Sequence, residues 1–155
     1  MRLYLVQHGE AKAESEDPDR PLTDQGAADV RRVAGNAIEH LGVRPRRLLH
    51  SGRTRARQTT EIWGDLLGAR PEETDGLAPN ADPSTWEERL RRGPDEIDDL
   101  LLAGHLPHLA RLAGALLAGD ADRPVVRFRP GGLVGLERGD AGWAVWVVLP
   151  PGAAR

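Results

Sequence analysis

The sequence predicts an α/β fold in which a mostly parallel sheet carries helices on both faces. Three observations predict it. Short apolar runs alternate with longer helical patterns three times in succession. Glycines stand where those helical patterns stop, at Gly42, Gly68 and Gly119. Polar, chemistry-bearing residues follow the apolar runs, where open α/β sheets bind their ligands.

Residues 3–6 (Leu-Tyr-Leu-Val) are strand formers and read as a buried strand ended by Gly9. Residues 14–19 are acidic, contain Pro18 and read as a loop. Thr23 is the expected N-cap of a helix in which Ala27, Val30, Val33, Ala34, Ala37, Ile38 and Leu41 recur at helical spacing. Residues 48–50 form the second strand. Ser51 is the expected cap of a helix from about 54 to 67. Residues 71–83 read as a loop with one short strand near 76–78, and Asp82 opens a short helix over 83–91. A third core strand is expected at 99–103 and a third long helix at 106–118. Residues 125–128, 133–136 and 143–149 then read as strands joined by glycine-rich turns. One domain is expected over 1–150, with 151–155 a frayed tail.

The bulk properties exclude several classes. The chain has 155 residues, 21 basic and 24 acidic, a net charge of -3 and no cysteine. That balance gives no reason to expect a nucleic-acid partner. Disulfide frameworks and thiolate zinc sites are absent. No apolar run approaches the ~20 residues needed to span a bilayer. The first residues lack the cleavage pattern of a signal peptide. The expectation is a soluble, cytoplasmic protein without a membrane partner.

The expected strand ends place His8, the segment 51–55 and His105 at one rim of the sheet. His8, Arg20, Arg53, Arg55, Arg57 and His105 together supply two imidazoles and several guanidiniums. Guanidiniums bind phosphate through paired, charge-assisted hydrogen bonds. Gly9 and Gly104 would let backbone approach an anion closely. Such a set suits phosphoryl transfer to a histidine nitrogen.

These residues carry a family resemblance. Gln7-His8-Gly9-Glu10 resembles the Arg-His-Gly signature of the histidine phosphatase superfamily. Arg20-Pro21-Leu22-Thr23 with Gly26 resembles its next motif. Ser51-Gly52-Arg53-Thr54-Arg55-Ala56-Arg57-Gln58-Thr59 resembles Ser-Pro-x-x-Arg-Ala-x-Gln-Thr, and Gly104-His105-Leu106-Pro107 resembles Gly-His-x-Pro. Within the superfamily the chain is most similar to the SixA-type phosphohistidine phosphatases. The resemblance implies a phosphoglycerate-mutase-like three-layer α/β/α fold. It also implies a phosphatase that needs no cofactor or metal. His8 would be the nucleophile, and Arg55 and His105 would hold the phosphoryl oxygens. Gln7, Gly9, Arg20 and Gly104 would contact substrate.

Two departures stand out. The arginine that normally precedes the nucleophile is Gln7, which keeps a weakly catalytic phosphate- or phosphoprotein-binding module as a rival reading. The residue after the second histidine is Leu106 rather than an acid, so Asp82, with Glu87 behind it, is the candidate proton donor. Asp82 reads more readily as the N-cap of the helix that starts at Pro83. Phosphohistidine demands little acid assistance, because imidazole leaves phosphorus more readily than an alkoxide. The favoured partner is a phosphorylated protein, with a small phosphorylated metabolite as the alternative. His108 lies three residues after His105 but lacks a surrounding ligand set for metal. His40 and His50 read as surface or strand-edge residues. Glu10 reads as a loop-positioning carboxylate. Trp143 and Trp146 read as packing against the sheet.

Overall fold

The computed structural model of the chain describes residues 1–92 and 99–153. The elements run β1 (Arg2–Gln7), α1 (Asp24–Leu41), β2 (Arg47–His50), α2 (Thr54–Leu67), β3 (Glu72–Glu73), α3 (Pro83–Arg91), β4 (Leu100–Gly104), α4 (His108–Ala118), β5 (Leu133–Gly139) and β6 (Gly142–Leu149). They form a six-stranded sheet of order β3-β2-β4-β1-β5-β6. The first four strands in that order are parallel, and β5 and β6 add to the β1 edge as an antiparallel hairpin.

Side chains alternate across a strand, so each strand feeds two cores. Leu3, Leu5, Leu49, Leu100 and Leu102 pack with Trp86 and Leu90 of α3 and Leu109 and Leu112 of α4. Tyr4, Val6, Leu48, Leu101 and Ala103 pack on the other face with Val30, Val33, Ala34 and Ala37 of α1 and Trp63 of α2. The α/β/α sandwich follows directly from these continuous apolar runs, which have no polar face to leave in water.

Helix ends follow local chemistry. Thr23 caps α1 by accepting from the Gly26 N–H, and Gly42 closes it in the left-handed region at φ 66°. Asp82 caps α3 by accepting from the Ser84 N–H. Ser51, in contrast, does not cap α2. Arg53 holds the N-cap position without a side-chain bond.

Three further expectations are corrected. Residues 125–128 form no strand. Prolines at 124 and 130 bracket them, Val125 faces solvent, and only Phe128 of the four is fully buried in the core. The short strand expected near 76–78 lies instead at Glu72–Glu73, pairing with β2 through its backbone and an exposed Arg47–Glu72 ion pair at 2.8 Å. Its two exposed glutamates give no hydropathy signal, and Gly76 turns the chain at φ 84°. The third long helix starts at His108 rather than 106, after the Pro107 cap. Pro151–Ala153 form one 3-10 turn near α1, and Ala154 and Arg155 of the expected tail lie outside the described residues. Trp146 packs edge-on against Tyr4, and Trp143 packs against the α3/α4 core, as expected. Among the described residues, no helix is long and apolar enough to cross a membrane.

Candidate active site

Strand pairing brings the two histidines together. β1 and β4 are parallel neighbours, with Gln7 opposite Gly104. The next residue of each strand, His8 and His105, therefore leaves the sheet side by side. Their ring centroids are 5.0 Å apart and tilted by 51°. β2 pairs with β4 on its other side, His50 opposite Ala103, which sets Ser51 beside them. The His8 N–H donates to the Gly104 carbonyl at 3.0 Å, locking the two strand ends.

The His8 ring is oriented by its own turn. Its Nδ1 lies 2.7 Å from the Gly9 carbonyl, which only accepts, so Nδ1 carries the proton. Nε2 is left with its lone pair, the state a nucleophile needs. Burial, then the charges of Arg55 and Arg20, lower the His8 pKa below its ordinary 6.5, against the opposing pull of the Gly9 carbonyl. The ring is thus neutral at pH 7.

Gly9 and Gly104, expected to let backbone approach an anion, also make contacts within the protein. A Cβ on Gly9 would lie 2.8 Å from the Val30 side chain and 3.0 Å from the Gly26 carbonyl. The Gly9 N–H is already used, donating to Thr59 Oγ1 at 3.1 Å. A Cβ on Gly104 would meet Leu109 at an ordinary 3.4 Å, so its described polar contact is the carbonyl that receives His8 N–H. Gly9 is required by the close packing of the nucleophile loop, and the Gly104 backbone holds His8.

Arg55 is the second residue of α2, and its Nε is buried without a hydrogen-bond partner among the described residues. Burial first, then Arg20 and Arg53, lower its pKa, and its charge in turn acts on both His8 and His105. Arg20 adopts φ 48° and donates its Nε to the Lys12 carbonyl at 3.1 Å, which points its charge at His8 and Arg55. Arg57, two residues after Arg55, faces away and lies 3.8 Å from Glu61. Among the described residues, Arg20, Arg53 and Arg55 have no carboxylate partner. Uncompensated guanidiniums around a neutral nucleophile make a receptor for a compact, multiply charged anion.

Gln7 ends β1 with its Oε1 buried and unpartnered among the described residues. His105 is only 2% exposed. Burial, followed by His8, Arg55 and Arg53, lowers its pKa to about 3. Its Nε2 lies 2.6 Å from Ser51 Oγ. Sequence reasoning treated Ser51 as a helix cap and missed this bond, which spans 54 positions. Thr59 was also missed as an anchor of Gly9; its Oγ1 accepts from that N–H and donates to the Arg55 carbonyl.

Asp82 has no hydrogen bond or ion pair to these groups among the described residues; its side chain caps α3. It is fully exposed, and its carboxyl is held below the usual carboxylate range by the Ser84 N–H it caps. The nearby charges are Arg111 and His108, and Asp82 is not among the charges acting on His8 or His105. A proton donor needs the opposite shift. Glu87 is paired with Arg91 at 3.0 Å. Glu10 accepts from the Thr23 hydroxyl at 2.8 Å, holding the loop to α1 as expected. His50, expected at the surface or a strand edge, is the buried last residue of β2 and accepts from the Gly52 N–H at 3.0 Å, while His40 is exposed. His108 is fully buried, with neither ring nitrogen hydrogen-bonded among the described residues. Among those residues no group of three or more histidine or acidic side chains could hold a metal.

Comparison with known proteins agrees with this geometry. The model of the histidine phosphatase superfamily (branch 1) matches residues 3–101. The fold is similar to a protein histidine phosphatase SixA complexed with tungstate, at TM-score 0.85 and 24% identity over 100% of both chains. It is similar to a candidate phosphohistidine phosphatase SixA from Agrobacterium tumefaciens, at 0.78 and 29% over 97% of each. It is also similar to a candidate alpha-ribazole-5'-P phosphatase from Escherichia coli K-12, at 0.77 and 16% over 97% of this chain and 98% of that one. No curated protein matches by sequence. With that family model matching well over half of the chain, the chain belongs to the histidine phosphatase superfamily and is a hydrolase of phosphoester or phosphoramidate bonds.

Proposed function

We propose that this chain dephosphorylates phosphohistidine on a protein, through a phosphohistidine formed on its own His8. The observation that carries the reading is the pairing of a neutral His8, its Nδ1 tied to Gly9, with arginines that have no carboxylate partner among the described residues. The Nε2 lone pair attacks phosphorus while the bond from phosphorus to the substrate imidazole breaks. The departing nitrogen keeps that electron pair and takes a proton from water. A water molecule then attacks phospho-His8, releasing inorganic phosphate and restoring the ring. One water is consumed in all, its proton ending on the substrate and its hydroxyl on phosphorus.

Arg55 and Arg20 neutralise the equatorial oxygens and a neutral His105 donates a hydrogen bond to them, the main catalytic contribution in phosphoryl transfer. Asp82 has no part in this scheme. The imidazole leaving group suits a site whose cluster contains no raised-pKa carboxyl. Similarity to the two SixA proteins supports the protein substrate.

The test is rapid acid or base quench with phosphohistidine-bearing protein and with an aryl phosphate. An acid-labile, base-stable adduct at position 8, absent in His8→Ala, is expected. Faster turnover of a small phosphomonoester than of phosphohistidine would transfer the assignment to a metabolite phosphatase. Phosphate binding without turnover would leave a binding module.

A further inference from the structure

We propose that Ser51 holds His105 in the tautomer protonated at Nδ1, so that Nδ1–H is the donor His105 offers the transferred phosphoryl group; this rests on the phosphatase reading above. Ser51 Oγ and His105 Nε2 are 2.6 Å apart. Bonds in which nitrogen donates to oxygen cluster near ~2.9–3.0 Å and seldom fall under ~2.7 Å, whereas hydroxyls make shorter bonds as donors, ~2.5–3.0 Å to oxygen acceptors. The separation fits the serine hydroxyl donating to a bare Nε2. The same Oγ accepts from the Arg53 N–H at 3.3 Å, which occupies a lone pair and leaves the hydroxyl proton free for the ring.

At neutral pH the buried ring holds a single proton, because burial and the neighbouring cations keep its pKa near 3. With Nε2 accepting, that proton sits on Nδ1. His105 Nδ1 is buried and has no hydrogen-bond partner among the described residues, so its hydrogen-bonding capacity is not used by them. Phosphoryl oxygens carry only lone pairs, and a bare ring nitrogen would repel them. The result complements His8, where the Gly9 carbonyl fixes the proton on Nδ1 and frees Nε2. One ring presents a lone pair and the other a proton. Ser51 acts through His105 and is therefore a positioning residue.

The experiment is long-range 15N–1H NMR of the histidine-labelled full chain at pH 7, with and without inorganic phosphate. His105 is expected to show a protonated Nδ1 and a bare Nε2, with the Nδ1 resonance moving on phosphate addition. Ser51→Ala should release the ring to a tautomer mixture and lower kcat/KM about fivefold to tenfold, the loss of one hydrogen bond. Ser51→Thr should restore both the tautomer and most of the rate. A protonated Nε2 in the parent chain, or a Ser51→Ala spectrum identical to the parent, would overturn the proposal. The tautomer is read without turnover. An inactive chain with the assigned tautomer would sink only the phosphatase reading, and an active chain with the opposite tautomer only this one.

Discussion

Gln7 is where this chain departs most visibly from its family pattern, and its position in the structure makes the consequence measurable. It sits opposite Gly104 in the sheet register, one residue before the nucleophile, with a buried and unpartnered amide oxygen. An amide can give the phosphoryl group a neutral hydrogen bond worth ~1 kcal/mol, where a guanidinium gives ~1.5–3. Gln7→Arg should therefore raise kcat/KM roughly twofold to thirtyfold. Steady-state kinetics on an aryl phosphate check this; a decrease would mean that the neighbouring Arg20, Arg53 and Arg55 already crowd the site with charge. At this scale His8, His105 and Arg55 were legible as motif residues. The bonds that orient the two rings were not legible, because each depends on a backbone carbonyl or hydroxyl whose aim no residue identity states.

Among the elements, the junction between the nucleophile loop and α1 holds the tightest backbone approach at a described glycine. Gly26 lies in the first turn of α1, and a Cβ there would stand 2.1 Å from the Glu10 carbonyl, a backbone atom that cannot swing aside. The contact is fixed from two further directions: Thr23 N–H donates to the same carbonyl at 2.9 Å, and the Thr23 hydroxyl donates to Glu10 Oε1. Gly26→Ala should cost about 1–3 kcal/mol of stability, as other overpacked sites do. It should also lower turnover, because the displaced segment begins two residues after His8. Urea unfolding with an unchanged slope and a shifted midpoint, together with kinetics, tests both parts. A variant with parental midpoint and activity would show that the loop yields freely. The helices themselves were readable from their periods and glycine stops. Strand Glu72–Glu73 was not, since pairing through backbone at a sheet edge leaves no mark in hydropathy.

The molecule as a whole stores acid sensitivity in its buried histidines. His105 and His108 have pKa values lowered to about 3 and about 4, in both cases chiefly by burial, and His8 and His50 are lowered for the same first reason. Around His108, the Arg111 charge adds to the lowering and the Asp82 carboxylate opposes it. Above pH 6.5 neither the folded nor the unfolded chain binds these protons. Below it the unfolded chain takes up protons that the folded chain refuses, so stability falls as pH falls. Each such histidine removes about 1.4 kcal/mol per pH unit until its folded-state value is reached. His108→Leu deletes two unpartnered nitrogens in a fully buried position, and should raise stability and flatten the slope between pH 6.5 and 4 by one histidine's share. Urea midpoints at several pH values decide it; parallel curves for parent and variant would refute the assignment.

Sequence by itself determined the sandwich and the membership of the rim. Continuous apolar runs must be covered on both faces, helical periods show which helix stripe covers them, and glycines mark the stops; all of these are local physics. Tertiary structure decided who touches whom. The strand order β3-β2-β4-β1-β5-β6 sets β4 between β2 and β1, so residues 8, 51 and 105 converge although long stretches of chain separate them. It also committed Asp82 to capping α3, drew His50 and His108 into the interior, and left residues 125–128 outside the sheet. Register and order are properties of the assembled sheet, settled by competition among all strands for the same hydrogen bonds and the same buried faces, and no single segment encodes that outcome.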